Sequence, residues 1–235
     1  MSTTPEPRYS LVIPAYNEEH RIVPLFESIT SFDGEIIVIC DGKDGTAVTV
    51  DRIAELRKDL RIHCLLFDHR LGKGGGVIAG LKYARSPLVG YLDADGSTSI
   101  HEMKRLFLTL STADGAIGSR WIPGATLKVR QGFMRQLESR AFNLIIRILF
   151  GIRYYDTQCG AKAFKKSAID AVLPLMVSRG FEFDVELLWR LRNAGYGVVE
   201  VPIEWQNKGD SRVKKRDMIG MFFGLFVIRS GFKRS

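Results

Sequence analysis

Leu88-Val89-Gly90-Tyr91-Leu92-Asp93-Ala94-Asp95-Gly96 is the stretch whose reading decides the fold. An uncharged apolar run ends abruptly on two aspartates and a glycine. A continuous apolar run this short reads as a strand buried on both faces. The same form recurs toward the N-terminus. Tyr9-Ser10-Leu11-Val12-Ile13 stops at Pro14, Glu35-Ile36-Ile37-Val38-Ile39-Cys40 stops at Asp41-Gly42, and residues 62–67 form another such run. Between these lie stretches with helical character: 18–32, 46–59 with Val50, Ile53, Ala54 and Leu56, and 75–84. Short apolar strands alternating with helices predict an α/β fold with a mostly parallel sheet covered by helices on both faces.

Ligands of such sheets bind outside the carboxyl ends of the strands. Four polar loops are expected to converge there: Tyr16-Asn17-Glu18, Asp41-Gly42-Lys43-Asp44-Gly45, His69-Arg70-Leu71-Gly72-Lys73 and Asp93-Ala94-Asp95-Gly96. Asp93 and Asp95 stand two apart on a turn, so both can face one hard cation such as Mg2+ or Mn2+. The alternative for the pair is a solvated acidic turn. Asp41 stands where a carboxylate could read a ribose hydroxyl or a base edge, or could simply form a turn. Lys73 sits in Gly72-Lys73-Gly74-Gly75-Gly76 at a helix start, where backbone can approach phosphate. That loop matches neither the P-loop nor the GxGxxG pattern.

The second half changes character. Residues 116–118 read as a short strand, 133–150 and 184–193 as helices, 197–203 as a strand, and the tail from Asp217 as a helix. Leu137, Ala141, Leu144, Ile145, Ile148 and Leu149 have helical spacing, on a helix that fits either core packing or membrane contact.

Composition narrows the partners. The 235 residues carry 34 Lys and Arg against 26 Asp and Glu, and this excess of +8 favours anionic partners. No aromatic-plus-basic RNA pattern and no zinc-finger spacing occur, so no nucleic-acid partner is expected. Cys40, Cys64 and Cys159 are an odd, sparse set without CxxC spacing, which argues against a disulfide framework. With no basic-then-apolar leader pattern, a cytoplasmic location is expected. The apolar run 218–228 is well short of the roughly 20 residues that a spanning helix needs.

The motifs carry a family resemblance. Leu11-Val12-Ile13-Pro14-Ala15-Tyr16-Asn17-Glu18-Glu19 resembles the opening signature of family-2 glycosyltransferases of the GT-A fold. Asp41-Gly42, Gly72-Lys73-Gly74 and Asp93-Ala94-Asp95-Gly96 follow in the order of that family. Gly118-Ser119-Arg120, Ser139-Arg140 with Asn143, Asp156-Thr157-Gln158-Cys159-Gly160 with Lys162, and Phe181-Glu182-Phe183-Asp184 resemble the polyprenyl-phosphate hexose synthases. Asp-Thr-Gln-Cys-Gly is closer to the dolichyl-phosphate glucose synthase branch than to the mannose branch. Some positions depart from the pattern: Cys40 stands for a first aspartate, Arg70 for an asparagine, and Ala161 for an aromatic residue. The Gln-x-x-Arg-Trp signature of processive polysaccharide synthases is absent.

The resemblance implies a GT-A domain over residues 1–210 and a basic amphipathic tail over 211–235. It implies that Pro14, Tyr16, Glu18 and Asp41 line a nucleoside pocket, joined on the donor side by Lys73 and Asp93. Asp93 and Asp95 would organise the metal, with Asp95 the more direct ligand. Arg120, Arg140, Lys162 and Arg212 would bind an acceptor phosphate, so Arg120 joins Asp93 and Asp95 among the catalytic residues. The implied donor is a nucleotide sugar, UDP-glucose ahead of GDP-mannose, and the implied acceptor is polyprenyl or dolichyl phosphate. Asp184 is the base-like candidate, with orientation of a neighbouring Arg or Lys as the alternative. A monophosphate acceptor needs no base, since its second pKa is about 6. A soluble glycan acceptor and a membrane-associated binding protein with a decayed site are the competing readings.

A lipid acceptor also implies a peripheral place on the cytoplasmic face of a membrane. Lys214, Lys215 and Arg216 precede the apolar tail, and Arg229, Lys233 and Arg234 follow it. Apolar surface with basic borders is how an interfacial helix binds. The alternative is that the tail packs on the protein's own core.

Overall fold

The structure is a computed structural model and describes residues 7–129, 133–206, 208 and 215–230. Its strands are β1 (Tyr9–Ala15), β2 (Gly34–Cys40), β3 (Arg61–Leu66), β4 (Leu88–Leu92), β5 (Gly115–Ser119), β6 (Thr126–Val129), β7 (Ala161–Lys165), β8 (Val198–Pro202) and β9 (Glu204–Gln206). Its helices are α1 (Glu19–Glu27), α2 (Thr46–Leu56), α3 (Gly72–Tyr83), α4 (Ile100–Thr109), α5 (Phe133–Phe150), α6 (Lys166–Val172), α7 (Phe183–Asn193) and α8 (Lys215–Ser230). Seven strands form one sheet in the order β3-β2-β1-β4-β7-β5-β8, and β6 pairs with β9 beside it.

Apolar residues alternate to opposite faces of β1 and β2, so both faces need cover. Leu11, Ile13, Ile36 and Val38 pack toward Ile22 and Phe26 of α1, Val50 of α2 and Met103 and Phe107 of α4. Val12, Ile37 and Ile39 pack on the other face with Val77 and Leu81 of α3, Ile169 of α6 and Leu188 of α7. This is the expected α/β architecture with helices on both faces.

One strand breaks the parallel pattern. β7 runs antiparallel to both β4 and β5, with Leu92 opposite Ala161 and Tyr91 opposite Lys162. The carboxyl ends of β1, β2, β3, β4, β5 and β8 therefore share one edge with the start of β7. Residues 156–160, which lead into β7, arrive where Asp93 leaves β4.

Several boundaries differ from the sequence reading. Helix α2 stops at Leu56 because Arg57 turns aside: its guanidinium donates to the Phe26 carbonyl at 3.1 Å and the Ile29 carbonyl at 2.8 Å. It thereby caps the open carbonyls at the end of α1. Helix α3 begins at Gly72 rather than 75, since Gly74 N and Gly75 N donate to the carbonyls of Gly180 and Arg179. Helix α4 lies in a stretch with no expected element. Ser99 caps it by accepting from Glu102 N at 3.3 Å, and Ser-x-x-Glu is a helix-start pattern.

Helices α5 and α8 each have a packed face and an outward face. Ile146 and Phe150 of α5 and Leu225 and Ile228 of α8 are buried with Val185 of α7 in a third apolar cluster. Leu144, Ile145 and Ile148 on α5 and Phe222, Phe223 and Phe226 on α8 face outward. Among the described residues no helix is long and apolar enough to cross a membrane.

Close packing of α3 on the sheet gives a test of the fold. An added Cβ at Gly80 would overlap the Val12 side chain. Ala in a helix otherwise gains about 1 kcal/mol over Gly, whereas overpacking costs roughly 1–3 kcal/mol. Gly80→Ala should therefore lower the unfolding free energy in urea titrations, and a stabilised variant would show that α3 can move off β1.

Candidate active site

The loops after β1 and β2 are bolted to each other. Asn17 adopts a left-handed backbone, φ 55°, which asparagine tolerates better than most residues. Its Oδ1 accepts from Lys43 N at 2.9 Å, and an added Cβ at Gly42 would collide with that oxygen. Glu18 N donates to Thr46 Oγ1 at 2.8 Å, and the Glu18 carboxylate pairs with Arg21 at 2.6 Å. Asp41 is buried, and its Oδ2 accepts from Leu71 N at 2.8 Å. The loop after β3 is thus tied to the end of β2. From that loop the Arg70 guanidinium lies 4.2 Å from the centroid of the half-exposed Tyr16 ring. Pro14 lies two residues before Tyr16, inside β1.

Asp93 and Asp95 follow β4. Lys73 Nζ reaches Asp93 Oδ1 at 2.9 Å. Burial pushes the Lys73 ammonium down, but Asp93, Asp184 and Asp95 outweigh it and hold its pKa above the ordinary lysine value. Asp93 lies over Gly160, where an added Cβ would overlap its carboxylate, and Asp93 N donates to Gly160 O at 3.0 Å. Asp95 Oδ1 accepts from Ser97 N at 2.9 Å across a turn whose Gly96 has φ +67°. Among the described residues no three His, Cys, Asp or Glu side chains form a metal cage. The two carboxylates are hard oxygen donors that suit Mg2+ or Mn2+ and leave ligand positions for a diphosphate.

Gly74 and Gly75 serve a different purpose from the expected one. Their amides are used by the 179–180 loop, and an added Cβ at Gly74 would press on Phe183 at 2.5 Å. The glycines seat α3 against the start of α7, and Lys73 is the member of this loop that faces the carboxylates.

Arg120 follows β5. Its Nε and Nη2 donate to the two oxygens of fully buried Asp156 at 2.7 and 2.9 Å, and its backbone N donates at 3.0 Å. The guanidinium also lies 5.6 Å from the Trp121 ring and 5.4 Å from the Trp205 ring. Arg140, from α5, lies 5.2 Å from the same Trp121 ring. The structure therefore brings these two arginines to one tryptophan. A cavity of about 300 Å³ opens there, lined by Trp121, Arg140, Asn143, Leu144, Arg147 and Tyr155. Arg147 stacks on Tyr155 at 4.9 Å.

Two expected roles change. Lys162 is completely buried, and its Nζ donates to Asp184 Oδ1 and the Cys159 carbonyl, both at 2.5 Å. It presents no surface to an acceptor phosphate. Asp184 is equally buried and also accepts from the Tyr91 hydroxyl. It is an orienting partner of a lysine, the alternative to a base. Arg212 lies outside the described residues. Asp156 belongs to a quoted motif and Tyr91 to a quoted strand, but the sequence reading gave neither a partner: Asp156 meets Arg120 across 36 positions of sequence.

The Arg120–Asp156 pair makes stability depend on pH. Burial pushes the Asp156 carboxyl up, but Arg120 and its hydrogen bonds, with Lys162, hold it below its ordinary value. A depressed folded pKa stabilises above the unfolded value of about 3.9 and is lost as pH falls through the folded one. Asp156→Asn should cost roughly 3–5 kcal/mol at neutral pH, because it strands Arg120. Urea titrations should show the gap to the parent narrowing below about pH 4; a constant gap would separate this stability from the ion pair.

The model of the family described as Glycosyl transferase family 2 matches residues 10–173. Glycosyltransferase AglD of Haloferax volcanii is 35% identical over 90% of this chain, which spans 35% of that relative's length. Dolichyl-phosphate beta-glucosyltransferase ALG5C of Trichomonas vaginalis is 33% identical over 95% of this chain and 71% of its own length. Polyprenol monophosphomannose synthase of Mycolicibacterium smegmatis is 32% identical over 87% and 79%. Glucosyl-3-phosphoglycerate synthase from Mycobacterium tuberculosis in complex with UDP superposes with a TM-score of 0.70 at 18% identity, over 97% of this chain and 81% of that one. The same synthase is known in complex with Mg2+ and UDP.

Proposed function

The chain belongs to glycosyl transferase family 2, and from that premise we propose that it transfers a hexose from a nucleotide sugar to a polyprenyl phosphate at a membrane surface. Glucose from UDP-glucose is the favoured donor group, in line with the Asp156-Thr157-Gln158-Cys159-Gly160 motif and relatives named for dolichyl-phosphate glucose transfer. One observation carries the acceptor class: the cavity beside Trp121 joins two guanidiniums, Arg140 and Arg147, to the apolar wall of Leu144. A phosphate on a hydrocarbon chain needs both kinds of surface at once.

The donor side follows from the carboxyl ends of β1 and β2 and the α3 lysine. Tyr16 and Asp41 hold the nucleoside, and Lys73 offers its ammonium to the diphosphate. Asp95, with Asp93, would hold a Mg2+ or Mn2+ ion, which supplies charge neutralisation to the departing nucleotide. Arg120 and Arg140 orient the acceptor phosphate, whose planar bidentate recognition suits guanidinium. A phosphate oxygen attacks the anomeric carbon, the bond from that carbon to the diphosphate oxygen breaks, and the electron pair leaves with the nucleotide. The anomeric centre inverts. The acceptor is already an anion, so no base is needed, and buried Asp184 has no proton to take.

Incubating the full chain with Mn2+, dolichyl phosphate and labelled UDP-glucose or GDP-mannose tests the reading. Labelled lipid should form, fastest from UDP-glucose, and chelator should stop it. Transfer to soluble oligosaccharide alone would overturn the acceptor, and donor binding without turnover would favour a decayed site. Arg140→Ala should raise KM for the lipid phosphate roughly thirtyfold, the equivalent of about 2 kcal/mol. Its KM for donor should stay near the parent's, and an equal rise in both would remove Arg140 from the acceptor site.

The membrane contact is proposed to be the outward stripe of α8, on the cytoplasmic face, aided by the basic residues around it. Phe222, Phe223 and Phe226 are 39%, 63% and 49% exposed, while Leu225 and Ile228 are buried in the domain. Deleting the tail would therefore open the core as well as remove the stripe. Replacing the three phenylalanines by serine should keep the melting temperature and abolish sedimentation with anionic liposomes. Undiminished sedimentation would place the anchor elsewhere.

A further inference from the structure

We infer that Lys162, Asp184 and Tyr91 form a buried positioning device for the Asp93 carboxylate; this rests on Asp93 serving the donor site. Register supplies the first argument. Tyr91 and Lys162 are directly opposite in the β4–β7 ladder, so their side chains share one face. Asp93 and Gly160 are the next residues along that face, two positions on from each. Their contact extends the ladder beyond the last strand pair, through Asp93 N to Gly160 O at 3.0 Å.

Charge supplies the second. Lys162 and Asp184 are 0% and 1% exposed and sit 2.5 Å apart. Burying two ions gains little stability over an apolar pair, because desolvation consumes most of the attraction. What the pair does is fix two pieces of backbone. Lys162 Nζ holds the Cys159 carbonyl at 2.5 Å, next to Gly160. Asp184 gathers Lys162 and the Tyr91 hydroxyl onto one oxygen, Oδ1, at the start of α7. Its field also reaches Lys73, the residue that grips Asp93. The strand before Asp93, the turn beneath it and the lysine across it are all referred to this one buried carboxylate.

The third argument is space. An added Cβ at Gly160 would overlap the Asp93 carboxylate, so a small shift of the 159–160 turn displaces it. Supporting partners of metal-site ligands typically change metal affinity ten- to a hundredfold when removed.

The test is Lys162→Met with Asp184→Asn, which removes both charges together and leaves no ion stranded. Calorimetry measures Mn2+ binding in the presence of UDP, with GDP in parallel, and hydrogen exchange follows the Asp93 amide with no ligand present. The double variant should melt near the parent's temperature, bind Mn2+ about tenfold more weakly and exchange the Asp93 amide faster, with β1 and β2 unchanged. A parent-like Mn2+ affinity would overturn the inference, because a purely structural pair needs only stability. If the parent binds neither nucleotide, the proposed function fails, and unchanged Asp93 exchange alone then overturns the positioning role. Should the double variant not fold, Tyr91→Phe removes a single hydroxyl and is judged by the same two outcomes.

Discussion

The hydrogen bond from Asp93 N to Gly160 O is where the sheet becomes a site. It exists because β7 runs against its neighbours. In a purely parallel sheet, the segment before a strand lies at the opposite edge from the segment after its neighbour. Reversing one strand brings residues 156–160 to the edge where β4 releases Asp93. Asp156 then meets Arg120 from β5, and Gly160 slides under Asp93. The carboxylate proposed for the donor side, Asp93, and the arginine proposed for the acceptor side, Arg120, become neighbours through one inverted strand.

The first four strands were legible in the sequence because each is mostly apolar and is followed by a polar loop. The edge they build was legible with them, and so was the placement of Asp93, Asp95, Asp41 and Lys73 along it. β7 was not. Ala161-Lys162-Ala163-Phe164-Lys165 reads as a polar alternation, although Lys162 is as buried as any core residue. A buried lysine is identified by its partner, and Asp184 lies 22 positions away. The parallel pair β6–β9 has the same difficulty, being short and distant in sequence. The family pattern located Lys162 and Asp184 as important positions, but the chemistry it suggested for Lys162 required exposure.

Glycine was legible as a signal and ambiguous as to cause. The run after Lys73 suggested backbone open to phosphate. In the fold its amides bond to the 179–180 loop, and its missing side chains admit Phe183. Both readings predict glycine for the same reason, close approach of another group to backbone. Only the three-dimensional neighbour decides whether that group is a ligand or the chain itself.

The cations of the site take two kinds of partner, carboxylates and aromatic rings. Lys162 and Arg120 are held by buried carboxylates, which fix their position, and Arg120 also lies near the rings of Trp121 and Trp205. Arg70, Arg140 and Arg147 are held instead by the faces of Tyr16, Trp121 and Tyr155. An aromatic face orients a guanidinium through its quadrupole without supplying a negative charge. Stacked arginines therefore keep their field and their in-plane donors for an anion, while the long side chain gives up its freedom before the anion arrives. Ordering a flexible side chain at the moment of binding costs about 0.5–1.5 kcal/mol, and ring stacking meets much of that cost beforehand. The paired cations build the edge, and the stacked ones leave it positive: Arg70 where the nucleoside pocket is proposed, Arg140 and Arg147 where the acceptor phosphate is proposed. In this division the buried acids Asp156 and Asp184 fix Arg120 and Lys162 in place, while the rings of Tyr16, Trp121 and Tyr155 orient arginines that keep their charge.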